Sequence, residues 1–180
     1  MRELILGGVR SGKSRHAEAR AEALGTEVVY IATAQAHGDD AMAGRIAAHR
    51  ARRPAHWQTV EAPFRPGRAV RAHDAAGRVL IIDCLTLWLT NWLALADGDP
   101  EHGRTPDDGL AAEREALLAA IEAAEGHLLM VSNETGLGVM PMGALARRFC
   151  DEAGTLHQAV AERCERVTWT VAGLAQTLKG

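Results

Sequence analysis

Two rhythms of apolar residues alternate along this chain. Short unbroken runs, the pattern of strands buried on both faces, are followed by longer stretches with a helical period. "ELILGG" (3–8) predicts a buried strand, and "KSRHAEARAEALG" (13–25) a helix stopped by Gly25. "EVVYIAT" (27–33) is a second strand. "DDAMAGRIAAHRARR" (39–53) is a helix with Asp39 and Asp40 in its first turn, ended by Pro54. In it Met42 and Ile46, four apart, can face the core. "HWQTVEA" (56–62) is a weaker strand, and "GRVLIIDC" (77–84) a strong one.

"LTLWLTNWLALA" (85–96) then predicts a largely buried helix, with Trp88 and Trp92 four apart and packing inward rather than stacking on a base. The polar stretch "DGDPEHGRTPDDG" (97–109) reads as a mobile loop. Thr105 fits an N-cap and Pro106 the first position of a helix running to about Glu125, with Leu110, Leu117, Leu118 and Ile121 on one face. "HLLMVSN" (127–133) is another strand, "VTWTVAG" (167–173) the last, with helix around 143–165 between them. Alternation of this kind predicts an α/β fold with a mostly parallel sheet flanked by helices, as one domain over 1–180. Ligands then belong at the C-terminal ends of the strands.

Composition narrows the function. The chain is 47% hydrophobic but only 4% aromatic, so alanine, leucine and valine build the core. A net charge of −3, without interleaved basic and aromatic residues, weighs against a nucleic-acid-binding RecA-like ATPase. No run approaches the roughly 18 apolar residues of a membrane span. Met1 leads almost at once into "ELILGG" with no secretory signal, so a cytoplasmic setting is expected. Cys84, Cys150 and Cys164 lack metal-ligand spacing and read as reduced core or helix cysteines.

Chemistry enters at the end of the first strand. In "GGVRSGKS", Gly7, Gly12, Lys13 and Ser14 satisfy G-x-x-x-x-G-K-[ST] between a strand and a helix. Backbone N–H groups can turn toward phosphate oxygens there, Lys13 offers charge to the β and γ phosphates, and the Ser14 hydroxyl can ligate Mg²⁺. The alternative is a glycine-rich turn with an exposed lysine. Such a loop needs a strand-end acid to orient the metal, and "VLIID" supplies Asp83; a carboxylate capping the next helix is the other reading. A switch GTPase is disfavoured because its base-reading N-K-x-D is missing.

The stretch from residue 45 to 53 raises a separate question. Arg45, His49 and Arg52 share a helical face, and Arg50 and Arg53 adjoin it. Among these four guanidinium groups His49 is either an incidental solvated histidine or poised to attack an anion. His16 has at most a supporting part, and His37, His56, His73, His102, His127 and His157 have none. Asn133 and Glu134, in "SNETGLGVMP", shape either a substrate loop or a plain turn before a helix.

"GGVRSGKS", "YIATAQ", "RIAAHRARRPAHW", "TVEAP", "IIDCLTLWLTN" and "VSNETGLGVMP" occur in that order. Together they resemble the bifunctional adenosylcobinamide kinase/adenosylcobinamide-phosphate guanylyltransferase family of cobalamin biosynthesis, from residue 2 to beyond 170. The resemblance implies a P-loop NTPase fold of the RecA-like type. It implies phosphorylation of adenosylcobinamide by a nucleoside triphosphate, ATP or GTP. It also implies transfer of GMP from GTP to adenosylcobinamide-phosphate, through a GMP-histidine that falls on His49. Lys13 is implied as the second catalytic residue. Nucleotide contacts carry over onto Gly7, Gly8, Val9, Arg10, Ser11, Gly12, Lys13 and Ser14, onto Thr33, Ala34 and Gln35, onto Arg50, Ala51, Arg52 and Arg53, and onto Glu61 and Asp83. Mg²⁺ would sit on Ser14 and Asp83, and the resemblance implies a homotrimer with no nucleic-acid partner. Met142, His157 and Ala172 depart from the family's usual residues.

Overall fold

The computed structural model describes residues 1–25, 27–36, 38, 40–95 and 106–180. Seven strands form one sheet: β1 (Arg2–Gly7), β2 (Val28–Ala32), β3 (Gln58–Glu61), β4 (Val79–Asp83), β5 (His127–Asn133), β6 (Arg166–Val171) and β7 (Leu174–Lys179). Their order is β3-β2-β4-β5-β1-β6-β7. All pairings are parallel except that of β7, which returns antiparallel along β6. The helices are α1 (Lys13–Leu24), α2 (Asp40–Arg52), α3 (Pro66–His73), α4 (Leu85–Leu93), α5 (Pro106–Ala123) and α6 (Ala144–Arg163).

The unbroken apolar runs are explained by cores on both faces of the sheet. Leu4, Val29, Ile31, Leu80, Ile82, Leu128 and Met130 point to one face, where α3, α4, α5 and α6 cover them. Their neighbours Ile5, Val28, Tyr30, Val79, Ile81, Leu129 and Val131 point to the other, packed with Ala17 and Ala21 of α1. Period-2 alternation thus sends adjacent residues of one strand into two different cores. Trp88 and Trp92 are fully buried, and both indole N–H groups donate to the Phe64 carbonyl, at 2.9 and 3.1 Å. Packing is therefore their role. Leu110, Leu117, Leu118 and Ile121 of α5 are buried as their spacing predicts.

Several expectations need correction. Helix α3 lies in a stretch whose Arg-Pro-Gly start hides a helical signal. Its approach to α5 is so close that a Cβ on Gly67 would lie 2.8 Å from the Ala116 and Leu117 backbone. Strand β6 is not the last. Ala172 and Gly173, with φ of 51° and 81°, turn the chain into β7, all of whose residues are exposed and so lack the apolar run that marks the other strands. The final residues of the polar stretch, from Pro106 on, already belong to α5. Met42 and Ile46 do not face a core, because α2 buries no residue at all. Cys84 and Cys164 are buried and Cys150 half-buried, all as free thiols, with Cys164 the residue that ends α6 rather than one within it. The expectations for Asp39, His37, His102 and Thr105, and for the loop before Pro106, lie outside the described residues. Among the described residues no helix is long and apolar enough to cross a membrane.

Candidate active site

The loop after β1 has its shape forced on it. A Cβ on Gly7 would meet Ser11 Oγ at 2.4 Å and the Thr170 carbonyl at 2.5 Å. Gly12 has φ of 97° and faces the Gly173 Cα at 3.1 Å. Only glycine satisfies both demands. The Ser11 N–H closes a turn on the Gly8 carbonyl, the His16 N–H starts α1 on the Gly12 carbonyl, and the Gly173 N–H ties the loop to the β6–β7 hairpin through the Ser11 carbonyl. No side chain caps α1 and no acid lies in its first turn, so its leading N–H groups and positive dipole end stay open to an anion. Lys13, half-buried at that end, donates to the Gly8 carbonyl at 3.1 Å. Burial lowers its pKa, against the opposing pull of the nearby Asp83 carboxylate.

Asp83 ends β4. Its Oδ2 accepts the Tyr30 hydroxyl at 2.5 Å. Burial first, then the Asp83 charge, pushes the Tyr30 phenol well up, so it remains a donor. Beyond Asp83 the chain is clamped by Thr33, whose hydroxyl donates to the Cys84 carbonyl at 2.7 Å and accepts the Cys84 N–H at 2.8 Å. Asn133, ending β5, donates to Thr86 Oγ1 at 2.9 Å.

The opposite wall is α2 and the residue after it, which bring arginines to the cavity together with Met42 and Ile46, half-buried there rather than in a core. Arg52 reaches Glu18 of α1 at 3.3 Å, Arg50 reaches Glu61 at 3.8 Å, and Arg53 donates to Thr59 Oγ1 at 3.3 Å. The Arg53 guanidinium also lies 3.5 Å above the Tyr30 ring, with its Nε buried and unbonded. His49 is half-buried between these arginines.

A cavity of about 650 Å³ joins the two walls. Of the residues predicted from sequence, Val9, Arg10, Ser11, Gly12, Lys13, Ser14, Ala34, His49, Arg50, Arg52, Arg53, Glu61 and Asp83 line it. Gly7, Thr33, Gln35 and Ala51 do not, and Gly8 lines a second cavity of about 440 Å³ across the loop, beside Glu134, Leu137 and Thr170. Gly7 shapes the loop from within the sheet, Thr33 is buried and committed to Cys84, and Ala51 faces outward on α2. His16, His56, His73, His127 and His157 stay outside the larger cavity. His157 is buried, 2.7 Å from Ser132 Oγ, and burial lowers its pKa. Sequence reasoning missed Tyr30, Arg15 and Leu87 as lining residues. For Tyr30 the one available signal was alternation within its strand, which places it on the same face as Ala32.

A mostly parallel sheet with a phosphate-type loop joining β1 to α1 defines a P-loop NTPase fold. A solved ATPase from the type III secretion system of pathogenic bacteria shares this fold, with a TM-score of 0.51 and 13% identity over 98% of this chain and 56% of that one. The particular family follows from the chain as a whole. Residues 3–178 match the model of the cobinamide kinase / cobinamide phosphate guanyltransferase family (CobU), and the chain belongs to that family. The bifunctional adenosylcobalamin biosynthesis protein CobP of Pseudomonas aeruginosa is 60% identical over all of this chain and 98% of its own length. CobU of Escherichia coli K12, which carries the same bifunctional description, is 37% identical over 98% of both chains. Like its family, this chain is a transferase with kinase and guanylyltransferase activity.

Proposed function

We propose that one cavity serves both reactions on the corrinoid: phosphorylation of adenosylcobinamide with ATP or GTP, then transfer of GMP from GTP to adenosylcobinamide-phosphate. The observation that carries this reading is the meeting of Lys13, Asp83 and His49 on the walls of a single cavity. In the kinase step the substrate hydroxyl attacks the γ-phosphorus and its proton passes to solvent. The bond to the β–γ bridging oxygen breaks, and the nucleoside diphosphate leaves. Lys13 and the α1 N-terminus offset the charge spread over the transferring phosphoryl oxygens.

Guanylyl transfer uses the other wall. The His49 imidazole attacks the α-phosphorus of GTP, and pyrophosphate leaves as the P–N bond forms. An oxygen of the substrate phosphate then attacks that phosphorus, the P–N bond breaks, and His49 is regenerated with adenosylcobinamide-GDP as product. Two displacements replace one difficult step. Arg50, Arg52 and Arg53 offset the triphosphate charge as the nucleophile approaches.

Mg²⁺ fits the donor set: the Ser14 hydroxyl and one Asp83 oxygen are hard ligands. Among the described residues no group of three or more His, Cys, Asp or Glu side chains forms a cage. Mg²⁺ is typically held by one or two protein oxygens together with phosphates and water. Bound there, Mg²⁺ would neutralise charge on the phosphates.

Incubation with α-labelled GTP should leave an acid-labile, base-stable label on the protein and none on His49→Ala. Undiminished labelling of the variant would remove His49 from this role. The reading extends to a cytoplasmic homotrimer acting as single-domain subunits. Self-association is supported by the exposed apolar side chains Leu137, Val139, Met142 and Leu145 and by the exposed edge strand β7. Light scattering that returned a monomer would remove the trimer.

A further inference from the structure

Tyr30 is the point where the two walls of the cavity touch. On β2 it lies two residues before Ala32, whose register partner on β4 is Asp83, so both side chains leave the same face of the sheet. The ring is 1% exposed. Its hydroxyl reaches Asp83 Oδ2 at 2.5 Å, and its face lies 3.5 Å from the Arg53 guanidinium. Asp83 Oδ1 accepts no hydrogen bond among the described residues, and Arg53 Nε is buried without one. Asp83 therefore keeps one oxygen unspent, and Arg53 is held by the ring face rather than through its Nε.

We propose that Tyr30 is a positioning residue of the metal–triphosphate site, its hydroxyl holding one Asp83 oxygen so that the other is presented to the cation while its ring seats Arg53 for the phosphates. This rests on the reading of Asp83 as a metal-orienting acid. A carboxylate with one oxygen already bonded has lost most of its freedom to rotate, which is how an outer hydrogen bond raises metal affinity. A guanidinium on an aromatic face is likewise held in place without a hydrogen bond being used up. The two effects belong to different parts of one side chain and are separable.

Binding of a fluorescent non-hydrolysable GTP analogue to the full chain, titrated with Mg²⁺, separates them. Tyr30→Phe keeps the ring and loses the hydroxyl. It should raise the Mg²⁺ concentration needed for half-effect about tenfold, with metal-free affinity within about twofold. Arg53→Met should do the reverse, weakening metal-free binding and leaving the Mg²⁺ midpoint in place. Asp83→Asn should shift the midpoint at least as far as Tyr30→Phe. A normal midpoint for Tyr30→Phe beside a shifted one for Asp83→Asn overturns the role of Tyr30 and leaves the metal reading standing. Normal midpoints for both overturn the two together. Equal weakening with and without Mg²⁺ reduces Tyr30 to packing.

One measurement needs no variant of this residue. The chain has a single tyrosine, so protein labelled with 3-fluorotyrosine gives one ¹⁹F resonance. It should move when Mg²⁺ is added to the protein–analogue complex, and stay still in Asp83→Asn. A resonance indifferent to Mg²⁺ in the unmodified sequence overturns the proposal.

Discussion

Two helices face the same cavity and are held in opposite ways. Helix α1 is set into the fold: Ala17 and Ala21 are fully buried against Ile5, Ile81, Leu129 and Val131, and its first turn continues directly from the glycine loop. Helix α2 buries nothing; its Arg52 and Arg50 reach Glu18 and Glu61, and Arg53 just beyond it reaches Thr59 and the Tyr30 ring. Alanine at the α1 contact brings backbone close to the sheet, and that proximity fixes where the leading N–H groups point. Exposed ion pairs such as Arg50–Glu61 hold an element only loosely, since each is worth about 0–1 kcal/mol and is screened by salt. One wall is thus rigid where phosphate must be gripped. The other is a polar surface carrying His49.

The largest test of this contrast is functional. Lys13→Ala on the rigid wall should slow both phosphorylation and guanylyl transfer by about a thousandfold, whereas His49→Ala on the polar wall should lose guanylyl transfer and keep much of the kinase reaction. Product analysis of both variants reads the difference directly. A kinase loss in His49→Ala as deep as that of Lys13→Ala would erase the division between the walls.

A smaller effect concerns packing. Ala17→Leu forces extra atoms into a filled contact and should cost about 1–3 kcal/mol, visible as a lower thermal midpoint. Ala43→Leu, on the exposed side of α2, should stay within about 0.5 kcal/mol of the parent. Equal losses would mean that α2 is packed after all. Smallest is a difference in motion. Amide hydrogens of α2 should exchange about tenfold faster than those of α1, because opening α2 exposes no core. Hydrogen–deuterium exchange by mass spectrometry measures this, and matching protection would contradict an unburied α2.

Sequence reasoning read the two walls unequally well, for the same physical reason. The loop "GGVRSGKS" has a local requirement, because Gly7 and Gly12 stand where any side chain would collide with Ser11, Thr170 or Gly173. Strands β1, β2, β4 and β5 were legible because burial on both faces leaves an unbroken apolar run. Helix α2 was legible as a helix, but the role of Met42 and Ile46 was misread. Spacing of four identifies a shared face without saying whether that face meets a core or a cavity. Strand β7 escaped notice because its sequence carries no burial signal, and α3 because it is only eight residues long and opens on Pro66 and Gly67, the latter needed where α5 approaches closely.

What the sequence determined by itself was local and covalent: which stretches can bury two faces, where glycine is obligatory, and a motif order specific enough to mark the family. What tertiary structure alone decided was which distant residues share a site. The order β3-β2-β4-β5-β1-β6-β7 places β4 and β5 between β1 and β2, so Lys13, Asp83 and the arginines of α2 converge from segments dozens of residues apart. It also put Tyr30, which looks like one more apolar strand residue, between a carboxylate and a guanidinium. Apolar periodicity reports how deep a residue is buried, and burial is a property of each segment. Adjacency depends on the register and order of strands, which hydrogen bonds between segments fix only when the whole sheet has formed.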